Sequence, residues 1–366
     1  PKMKKNIVIV GGGITGLMSA FIASKNNYKV TLVDTANKFG GLLNTFKINK
    51  MSLEYYYHHY FKHDVELKWL LESLKIKKKL FFKKTQMGVF SEGEIHNFNN
   101  VLDLIKYKPL SFISKVKFLL TTFYLGKFTN HLRYENIPAV DWLKKWAGEE
   151  VTNNIWEPLL RVKFGKYYNK IPLTWLIGRI KQRFYSRKNG DETLGYVHGS
   201  TQLILDKLIN YLKNKNVKLI KNAKISTIKK NKILNIKVNN KIFTNSKILF
   251  TCPNDGIIKA LGRNNSNLIR MLKKIKYLGA LCVILKMKSR FSNIYWMNIA
   301  NEKSPFGGII EHTNLVDKKF YKGDHIVYLS KYFDSKESFY KKNKKDLFKI
   351  SKNFLKNINP SFDEKN

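Results

Sequence analysis

The chain has 366 residues, enough for two or three lobes that each bury a core. Its hydrophobic fraction of 43% and aromatic fraction of 13% exclude an intrinsically disordered chain, and no apolar run is long enough to cross a membrane as a helix. The formal charge of +42 would suit a nucleic-acid or anionic-membrane partner. Because the lysines are spread along the whole chain without a known nucleic-acid motif, we expect no nucleic-acid partner and leave peripheral contact with a membrane open.

The sequence predicts a cytoplasmic protein. Its two cysteines, Cys252 and Cys282, have neither a metal-type spacing nor the pattern of a disulfide framework. The basic N-terminus and the following apolar run resemble the front of a signal peptide. However, the run leads directly into Gly11–Gly13, and no small-residue cleavage site follows.

The first predicted elements are a strand, a glycine turn, a helix and a second strand. Asn6–Val10 is an almost purely apolar, β-branched run, typical of a strand buried on both faces of a parallel sheet. The second strand is predicted at Lys29–Asp34. Between them, apolar residues recur with helical spacing at Ile14, Leu17, Met18, Phe21 and Ile22.

The glycine turn has the pattern expected of a dinucleotide site. Gly11 permits a tight turn, Gly13 lets the backbone approach a pyrophosphate, and Gly16 allows the helix to pack closely on the strand. The helix N-terminus then presents free N–H groups to the phosphates. Asp34, at the end of the second strand, can accept hydrogen bonds from a ribose diol and would repel the 2′-phosphate of NADP.

The middle of the chain, from about residue 111 to 190, is predicted to be mostly helical and is rich in tryptophan. One helical face carries Phe112, Val116, Leu119 and Phe123. We interpret this face chiefly as core packing, and the alternative is a lip that lies on a membrane surface.

After Gly195 the pattern returns to alternating helices and strands. Short strands are predicted at Val217–Ile220, Lys224–Ile228, Ile233–Val238 and Ile248–Thr251. Further β-like runs, interpreted as an antiparallel sheet, occur at Leu281–Leu285, Ile294–Ile299, Gly308–His312 and His325–Leu329. A basic amphipathic helix is predicted at about 341–355.

The predicted fold is therefore α/β, with a Rossmann-type dinucleotide-binding domain, a helical insertion and an antiparallel-sheet substrate domain. We expect residues 1–75 and 190–260 to form the two parts of the nucleotide-binding domain. Residues 76–189 would form the mostly helical insertion or substrate lobe, and residues 261–366 the antiparallel-sheet domain.

A second glycine pair, Gly40-Gly41, follows Asp34 closely in the segment Lys38-Phe39-Gly40-Gly41. This arrangement resembles the large family of FAD-dependent amine oxidases, protoporphyrinogen oxidases and phytoene desaturases, whose architecture UDP-galactopyranose mutases share. The resemblance implies FAD as cofactor, with Gly40 and Gly41 close to the flavin nucleotide. In this family an Arg usually follows the pair, whereas this chain has Leu42.

Later segments continue the resemblance. Gly195–Ser200 is similar to the family's glycine segment before its second half, with His198 in place of the first glycine, and it implies that Gly199 contacts the cofactor. Ile225 matches a position whose backbone flanks the FAD adenine. Similarity to bacterial and archaeal protoporphyrinogen-oxidase-like proteins rests on the segments 54–59, 156–160 with 163–165, and 305–314.

The end of the chain departs from this resemblance. Family members normally finish with a glycine-containing segment and a helix that touch the flavin ring and ribityl chain, whereas this sequence stops at Asn366 after Asn359-Pro360. We therefore expect a C-terminal truncation that could weaken FAD binding.

The candidate catalytic and substrate residues lie outside the glycine motifs. Glu311 and His312 follow an apolar strand and could move protons or orient a substrate, or simply form a surface strand end. Arg161 and Lys163 could attract an anionic substrate, although basic residues are common throughout the chain. No metal is expected, because the spacing of His58, His59 and His63 matches no standard site.

These features predict an FAD-dependent oxidoreductase that removes hydride from a C–N or C–C bond of an unidentified small molecule. A sugar-nucleotide mutase similar to UDP-galactopyranose mutase, which would need reduced FAD, is the first alternative. A non-enzymatic basic binding protein with a degenerate flavin fold is the second, and it rests on the net charge alone.

Overall fold

The structure is a computed structural model that describes residues 5–188, 191–230, 233–262, 266–301, 303–334, 341–363 and 365. These residues divide into two compact units. The first unit contains the chain up to Tyr56, Leu67–Lys79 and Val197–Tyr277. The second contains Tyr57–Glu66, Leu80–Tyr196 and the chain from Leu278 onward. The predicted domain boundary at 189–190 lies outside the described residues.

The helices in the described residues, in chain order, are α1 (Ile14–Lys25), α2 (Val65–Ser73), α3 (Val101–Lys106), α4 (Phe112–Lys127), α5 (Ala139–Trp146), α6 (Glu149–Val151), α7 (Glu157–Phe164), α8 (Leu173–Ser186), α9 (Ser200–Asn214), α10 (Asn254–Leu261), α11 (Ser266–Lys274) and α12 (Lys344–Ile358).

The strands are β1 (Asn6–Val10), β2 (Lys29–Val33), β3 (Thr45–Ile48), β4 (Met51–Glu54), β5 (Leu80–Lys84), β6 (Met87–Ser91), β7 (Glu94–Asn97), β8 (Arg187–Lys188), β9 (Asp191–Val197), β10 (Lys218–Ile220), β11 (Ile225–Lys230), β12 (Ile233–Val238), β13 (Lys241–Phe243), β14 (Ser246–Phe250), β15 (Gly279–Met287), β16 (Trp296–Ile299), β17 (Gly308–Glu311) and β18 (His325–Phe333).

A parallel sheet of order β10-β2-β1-β14 forms the centre of the first unit. Ile9 of β1 lies opposite Leu32 of β2, and both side chains are fully buried. Helix α1 buries Leu17 and Phe21 on one face, as its apolar spacing predicts. The strand–helix–strand unit predicted from the sequence is therefore present, with Asp34 as the first residue after β2.

The strands expected at 217–228 belong to two different sheets. Strand β10 pairs with β2 in the parallel sheet, because the backbone of Ile220 continues that ladder by accepting from the N–H of Asp34. Strand β11 instead begins an antiparallel sheet of order β11-β12-β13. The two strands therefore do not pair with each other, although they follow one another in sequence.

A hairpin that the sequence analysis missed, β3 and β4, completes the first unit. It ends at Glu54, whose fully buried carboxylate accepts a hydrogen bond of 2.9 Å from the backbone N–H of Thr201. Thr201 lies in the first turn of α9. A carboxylate at a helix N-terminus is stabilised by the free amides and the helix dipole, so Glu54 fixes the hairpin to α9.

The second unit contains a six-stranded sheet of order β15-β18-β17-β16-β6-β7. Neighbouring strands are antiparallel except for β16 and β6, which are parallel. Two of its strands, β6 and β7, come from the region predicted to be a mostly helical insertion. The predicted antiparallel sheet is thus present, but it is completed by strands from earlier in the chain, which local periodicity could not indicate.

Helices α3 to α8 form a second layer of this unit around a core of aliphatic side chains. Leu125, Leu143, Leu173 and Ile177 are fully buried there. Ser111 caps α4 by accepting from the N–H of Ser114. In the part of the chain that the structure describes, no helix combines the length and hydropathy needed to cross a membrane.

Candidate dinucleotide site and ligand cavity

The glycine turn between β1 and α1 is held by its own backbone. Gly11 has a φ of +112° and donates its N–H to the carbonyl of Val33 at 2.9 Å. A Cβ atom on Gly16 would lie 1.8 Å from the carbonyl oxygen of Gly11. Glycine is therefore required at both positions by the protein itself, since α1 approaches the end of β1 too closely for any side chain.

Gly13 differs from its two neighbours in the motif. Its φ of −71° suits any residue, and the nearest atom to a Cβ placed there would be the Cα of Gly41 at 4.0 Å. The packing of the protein therefore leaves open space beside Gly13. Gly13 is also the N-cap of α1, and neither a side-chain cap nor an acidic residue occupies the first turn of this helix. The first-turn amides have no partner within the helix and can bind an anion in that space.

The second glycine pair lies against the first. Gly40 donates its N–H to the carbonyl of Gly12 at 2.8 Å, and Gly13 and Gly40 form a parallel β-bridge. Both Gly40 and Gly41 have positive φ angles, +128° and +55°. The two glycine segments predicted to contact one cofactor are thus adjacent in space, which the sequence alone could only suggest by resemblance.

Asp34 is fixed beside this turn. One carboxylate oxygen accepts from the N–H of Gly12 at 2.5 Å, and the other accepts from the N–H of Ala36 at 2.7 Å. Thr251, which the sequence analysis did not select, donates its hydroxyl to the carbonyl of Gly11 at 2.9 Å. A threonine that ends a strand gives no local signal of this contact, because it depends on the pairing of β14 with β1.

Ile225 and Gly199 also lie in the first unit. Ile225 is half-buried at the start of β11 and packs against the cluster that contains Val8 and Val33. Ala223, two residues before Ile225, contacts the segment that carries Asp34, because its N–H donates to the carbonyl of Asp34 at 2.9 Å. Gly199 is the left-handed N-cap of α9, with a φ of +100°. The backbone N–H of Thr201, two residues after Gly199, already donates to the carboxylate of Glu54.

A cavity of the second unit has a volume of about 870 Å³, within the usual range for small-molecule sites. Its walls are mostly apolar and aromatic and come from α4, α7, α8 and the six-stranded sheet. Lys163 lines this cavity, whereas Arg161 lines a separate, smaller pocket. Arg161 is paired there with Glu157 at 2.7 Å and bonded to the Tyr168 hydroxyl. The structure therefore does not bring the two predicted substrate residues into one site.

Arginines that the sequence analysis missed give the cavity a positive charge. Arg179, Arg183 and Arg187 follow one another at intervals of four residues, so they project from one side of α8 and its C-terminal end. Arg183 is paired with Glu192, a buried carboxylate that also accepts from Ser186. The four-residue spacing of the arginines was visible in the sequence, but only the folded chain shows that these side chains face a cavity.

His59 and Tyr57 lie on the same cavity wall. The His59 ring lies 3.2 Å from the Tyr295 hydroxyl, and burial together with the nearby Arg183 charge lowers the pKa of His59 to about 3. The imidazole is therefore neutral at physiological pH and can donate or accept a hydrogen bond without adding charge. Burial also raises the pKa of Tyr57, whose hydroxyl lies 3.4 Å from that of Tyr332.

Glu311 and His312, the predicted catalytic pair, are fully buried rather than exposed at a strand end. Glu311 accepts from the N–H groups of Phe291 and Ser292 at 3.1 and 2.7 Å, and burial raises its pKa to about 7. His312 lies 2.8 Å from the Tyr321 hydroxyl, and burial lowers its pKa to about 3. Neither residue lines the large cavity, so their contacts favour a role in holding the fold.

Histidines 58, 59 and 63 do not form part of a metal-binding group. Among the described residues, no cluster of three or more His, Cys, Asp or Glu side chains is arranged to hold a metal ion. His59 and His63 each pack instead against the ring of Phe61.

Gly13 and Gly16 provide a direct test of the glycine cleft. We expect Gly13→Ala to fold normally and to bind ADP, used as a probe, at least tenfold more weakly, because its methyl group enters the space left for phosphates. We expect Gly16→Ala to lower the free energy of unfolding by about 1–3 kcal/mol, because its Cβ meets backbone. Calorimetric ADP titration and thermal unfolding measure the two effects.

Gly178→Ala is the matched control, because Gly178 lies in a helix and a Cβ atom added there would have no neighbouring atom within 4 Å. It should change neither the ADP affinity nor the fold. Wild-type ADP affinity in Gly13→Ala would contradict the assignment of the site.

Glu311 should make stability depend on pH. Its folded-state pKa of about 7 lies above its ordinary value, so the protonated acid is favoured in the fold. The contribution of Glu311 to the free energy of unfolding is complete below about pH 4.5 and is lost as the pH rises through 7. The loss amounts to at most about 3 kcal/mol. We expect the difference in unfolding free energy between the wild type and Glu311→Gln to fall over this range in denaturant titrations.

A difference that rises with pH for Glu311→Gln would mean that Glu311 is ionised and held by the two amides.

Comparisons with known proteins agree with this geometry. Residues 9–74 match the model of the NAD(P)-binding Rossmann-like domain. The chain is 22% identical over 190 residues to coproporphyrinogen III oxidase of Staphylococcus aureus (strain NCTC 8325 / PS 47), covering 50% of the chain and 41% of that enzyme. It is 27% identical over 118 residues to carotenoid phi-ring synthase of Chlorobaculum tepidum, covering 31% of the chain and 18% of that enzyme. The matches thus span less than half the length of these curated relatives.

Solved structures cover almost the whole chain. A protein assigned as a protoporphyrinogen oxidase from Exiguobacterium sp. 255-15 aligns with a TM-score of 0.76 at 14% identity, covering 98% of this chain and 84% of that one. Putrescine oxidase bound to putrescine aligns with a TM-score of 0.69 at 14% identity, covering 98% of this chain and 82% of that one. Reduced UDP-galactopyranose mutase aligns with a TM-score of 0.65 at 15% identity, covering 95% of this chain and 76% of that one. The resemblance and the α/β class predicted from the sequence are confirmed: the chain has a Rossmann-like domain and the fold shared by protoporphyrinogen oxidases and amine oxidases.

Proposed function

We propose that this protein is an FAD-dependent oxidoreductase that removes hydride from a C–N or C–C bond of a small molecule. The observation that carries the proposal is the cleft formed by the two glycine segments, where the backbone of Gly13 faces space that no part of the first unit fills. Neither the φ angle nor the packing of the protein requires glycine at this position, and the absence of a side chain leaves room there for the phosphates of a ligand.

The residues of this cleft fit a dinucleotide. The first-turn amides of α1 would bind the pyrophosphate, and Asp34, anchored by Gly12 and Ala36, would accept hydrogen bonds from the adenosine ribose. Gly40 and Gly41 would lie along the nucleotide chain, because they contact the first glycine segment. The negative charge of Asp34 disfavours the 2′-phosphate of NADP. When bound, FAD supplies the capacity to accept a hydride.

The cavity of the second unit is the proposed substrate site. Its aromatic walls would exclude water and bind an apolar body, while Arg179 and Lys163 would orient an anionic group such as a carboxylate. The side chain of Arg179 is bonded to the side-chain oxygen of Gln182 at 3.0 Å and, in the described part of the chain, has no ion pair with a carboxylate. A neutral His59 on the same wall could accept or donate one hydrogen bond to the substrate.

The relatives support an oxidoreductase that acts on a small molecule. The names of the matched proteins include a coproporphyrinogen oxidase and a putrescine oxidase. A flavin-dependent sugar-nucleotide mutase is the second candidate, favoured by the fold shared with UDP-galactopyranose mutase and by the cationic side of the cavity. The two candidates differ in redox requirement, since a mutase would act without net oxidation and only with reduced flavin.

The visible absorption spectrum of the purified chain tests the cofactor. We expect an oxidised-flavin spectrum and the release of FAD on denaturation, either as isolated or after incubation with FAD. A protein that stays colourless after FAD incubation while it binds NAD would overturn the proposal. Once flavin is bound, anaerobic bleaching by a substrate supports the oxidoreductase. Turnover of a UDP-sugar that occurs only after dithionite reduction supports the mutase instead.

Arg179 tests the substrate site independently of the cofactor. We expect Arg179→Gln to weaken binding of 1-anilinonaphthalene-8-sulfonate, an apolar anion, by about tenfold, because one charge-assisted hydrogen bond is lost. Binding of the uncharged analogue N-phenyl-1-naphthylamine should not change. Fluorescence titration measures both affinities.

Arg270→Gln is the matched control, because Arg270 is also an exposed helical arginine bonded to an amide oxygen three residues away. It should leave the affinity for both probes unchanged. Equal loss of the neutral and the anionic probe in Arg179→Gln would contradict a role in charge recognition.

A further inference from the structure

Helix α4 is apolar on two opposite sides. Ser114, Phe118 and Leu125 face inward and are buried in the helical core of the second unit. At 3.6 residues per turn, a second apolar stripe lies on the other side of the helix. This outer stripe is exposed and contains Phe112, Ile113, Val116, Leu119, Leu120 and Phe123. The inner side packs into the core, whereas the outer stripe leaves much of its apolar surface in solvent, with Phe123 also contacting the ring of Phe184.

The neighbouring segments extend this exposed surface. Helix α3 exposes Val101, Leu102 and Ile105, and it is tied to α4 by a hydrogen bond of 2.7 Å from the Lys115 ammonium to the carbonyl of Ile105. Phe128 follows α4 directly and packs on Phe123 at 5.7 Å between ring centroids. Phe112 is 77% exposed and Phe128 is 70% exposed. We call the exposed apolar side chains of α3 and α4, together with Phe128, the outer apolar face. Soluble monomers rarely expose contiguous apolar surface on this scale.

Positive charge surrounds the outer apolar face. Lys115 and Lys117 lie on its two sides along α4. Residues 99–134 contain six lysines and arginines and a single acidic residue, Asp103. A second copy of this chain would bring the same positive charge to the interface, in addition to the net charge of +42, so self-association through this face is opposed by repulsion. An anionic lipid surface complements both the apolar stripe and the flanking lysines.

The ligand cavity opens on the same face. Val101, Leu119, Leu120 and Phe123 line the cavity and are also exposed to solvent. Part of the cavity rim therefore belongs to the outer apolar face, while Arg179 and Arg187 are exposed lining residues outside that face. A ligand could pass between an acyl-chain environment and the apolar cavity without crossing water.

We propose that the second unit docks on anionic membranes through the outer apolar face, with α3 and α4 in the plane of the lipid interface and the cavity mouth facing the acyl chains. The proposed attachment is peripheral and reversible, because α3 and α4 would lie in the lipid interface rather than cross it. This docking does not depend on the proposed flavin chemistry. It assigns lipid-soluble molecules as the class of ligand that the cavity takes.

Co-sedimentation with vesicles tests the proposal. We expect the wild-type chain to bind phosphatidylserine/phosphatidylcholine vesicles and to bind pure phosphatidylcholine vesicles at least tenfold more weakly, because the lysines then lose their partners. Phe112→Ser combined with Ile113→Ser should lower the partition coefficient for anionic vesicles about tenfold, since two fully lipid-facing side chains are lost. Neither residue lines the cavity.

Phe348→Ser is the control, because Phe348 is an exposed apolar residue on another lysine-rich helix, α12. It should bind vesicles as the wild type does. Vesicle binding by the Phe112/Ile113 double variant at the wild-type level would overturn the proposal, as would a wild type that binds neither vesicle. Sedimentation velocity without lipid tests whether the outer apolar face binds a second copy of the chain instead. A dimer formed by the wild type but not by the double variant would assign the face to self-association and overturn the proposal.

Discussion

The first unit depends on a single steric constraint, the approach of α1 to the end of β1. At Gly16 a Cβ atom would overlap the carbonyl oxygen of Gly11, and at Gly11 the φ angle of +112° itself favours glycine. These two glycines set the position of the α1 N-terminus. That position in turn leaves the unfilled space at Gly13, brings Gly40 into contact with the turn, and places Asp34 where its carboxylate binds Gly12.

The same constraint explains why this part of the site could be predicted from sequence. The turn is made of residues that are adjacent in the chain, so its spacing and its flanking strand and helix are all local features. Contacts made by distant segments gave no such signal. Thr251 reaches the turn only because β14 pairs with β1, and Glu54 reaches α9 only because of a hairpin that the sequence analysis missed.

In the second unit, element types were predictable but their partners were not. The antiparallel strands near the C-terminus were expected, yet β6 and β7 complete their sheet from a region that was assigned to helices. The burial of Glu311 and His312 could not be predicted from the sequence either. A Glu-His pair after an apolar strand is as typical of a surface as of a core, and only tertiary packing shows that Glu311 and His312 are fully enclosed. The arginines of α8 could be counted in the sequence, but their cavity could not be foreseen.

We propose that the space beside Gly13 holds the pyrophosphate of FAD. A crystal structure of the chain grown with FAD would show whether it does. We expect pyrophosphate oxygens within hydrogen-bond distance of the first-turn amides of α1, and ribose hydroxyls on the carboxylate of Asp34. A nucleotide bound elsewhere, or a cleft at Gly13 filled by the protein's own side chains, would contradict it.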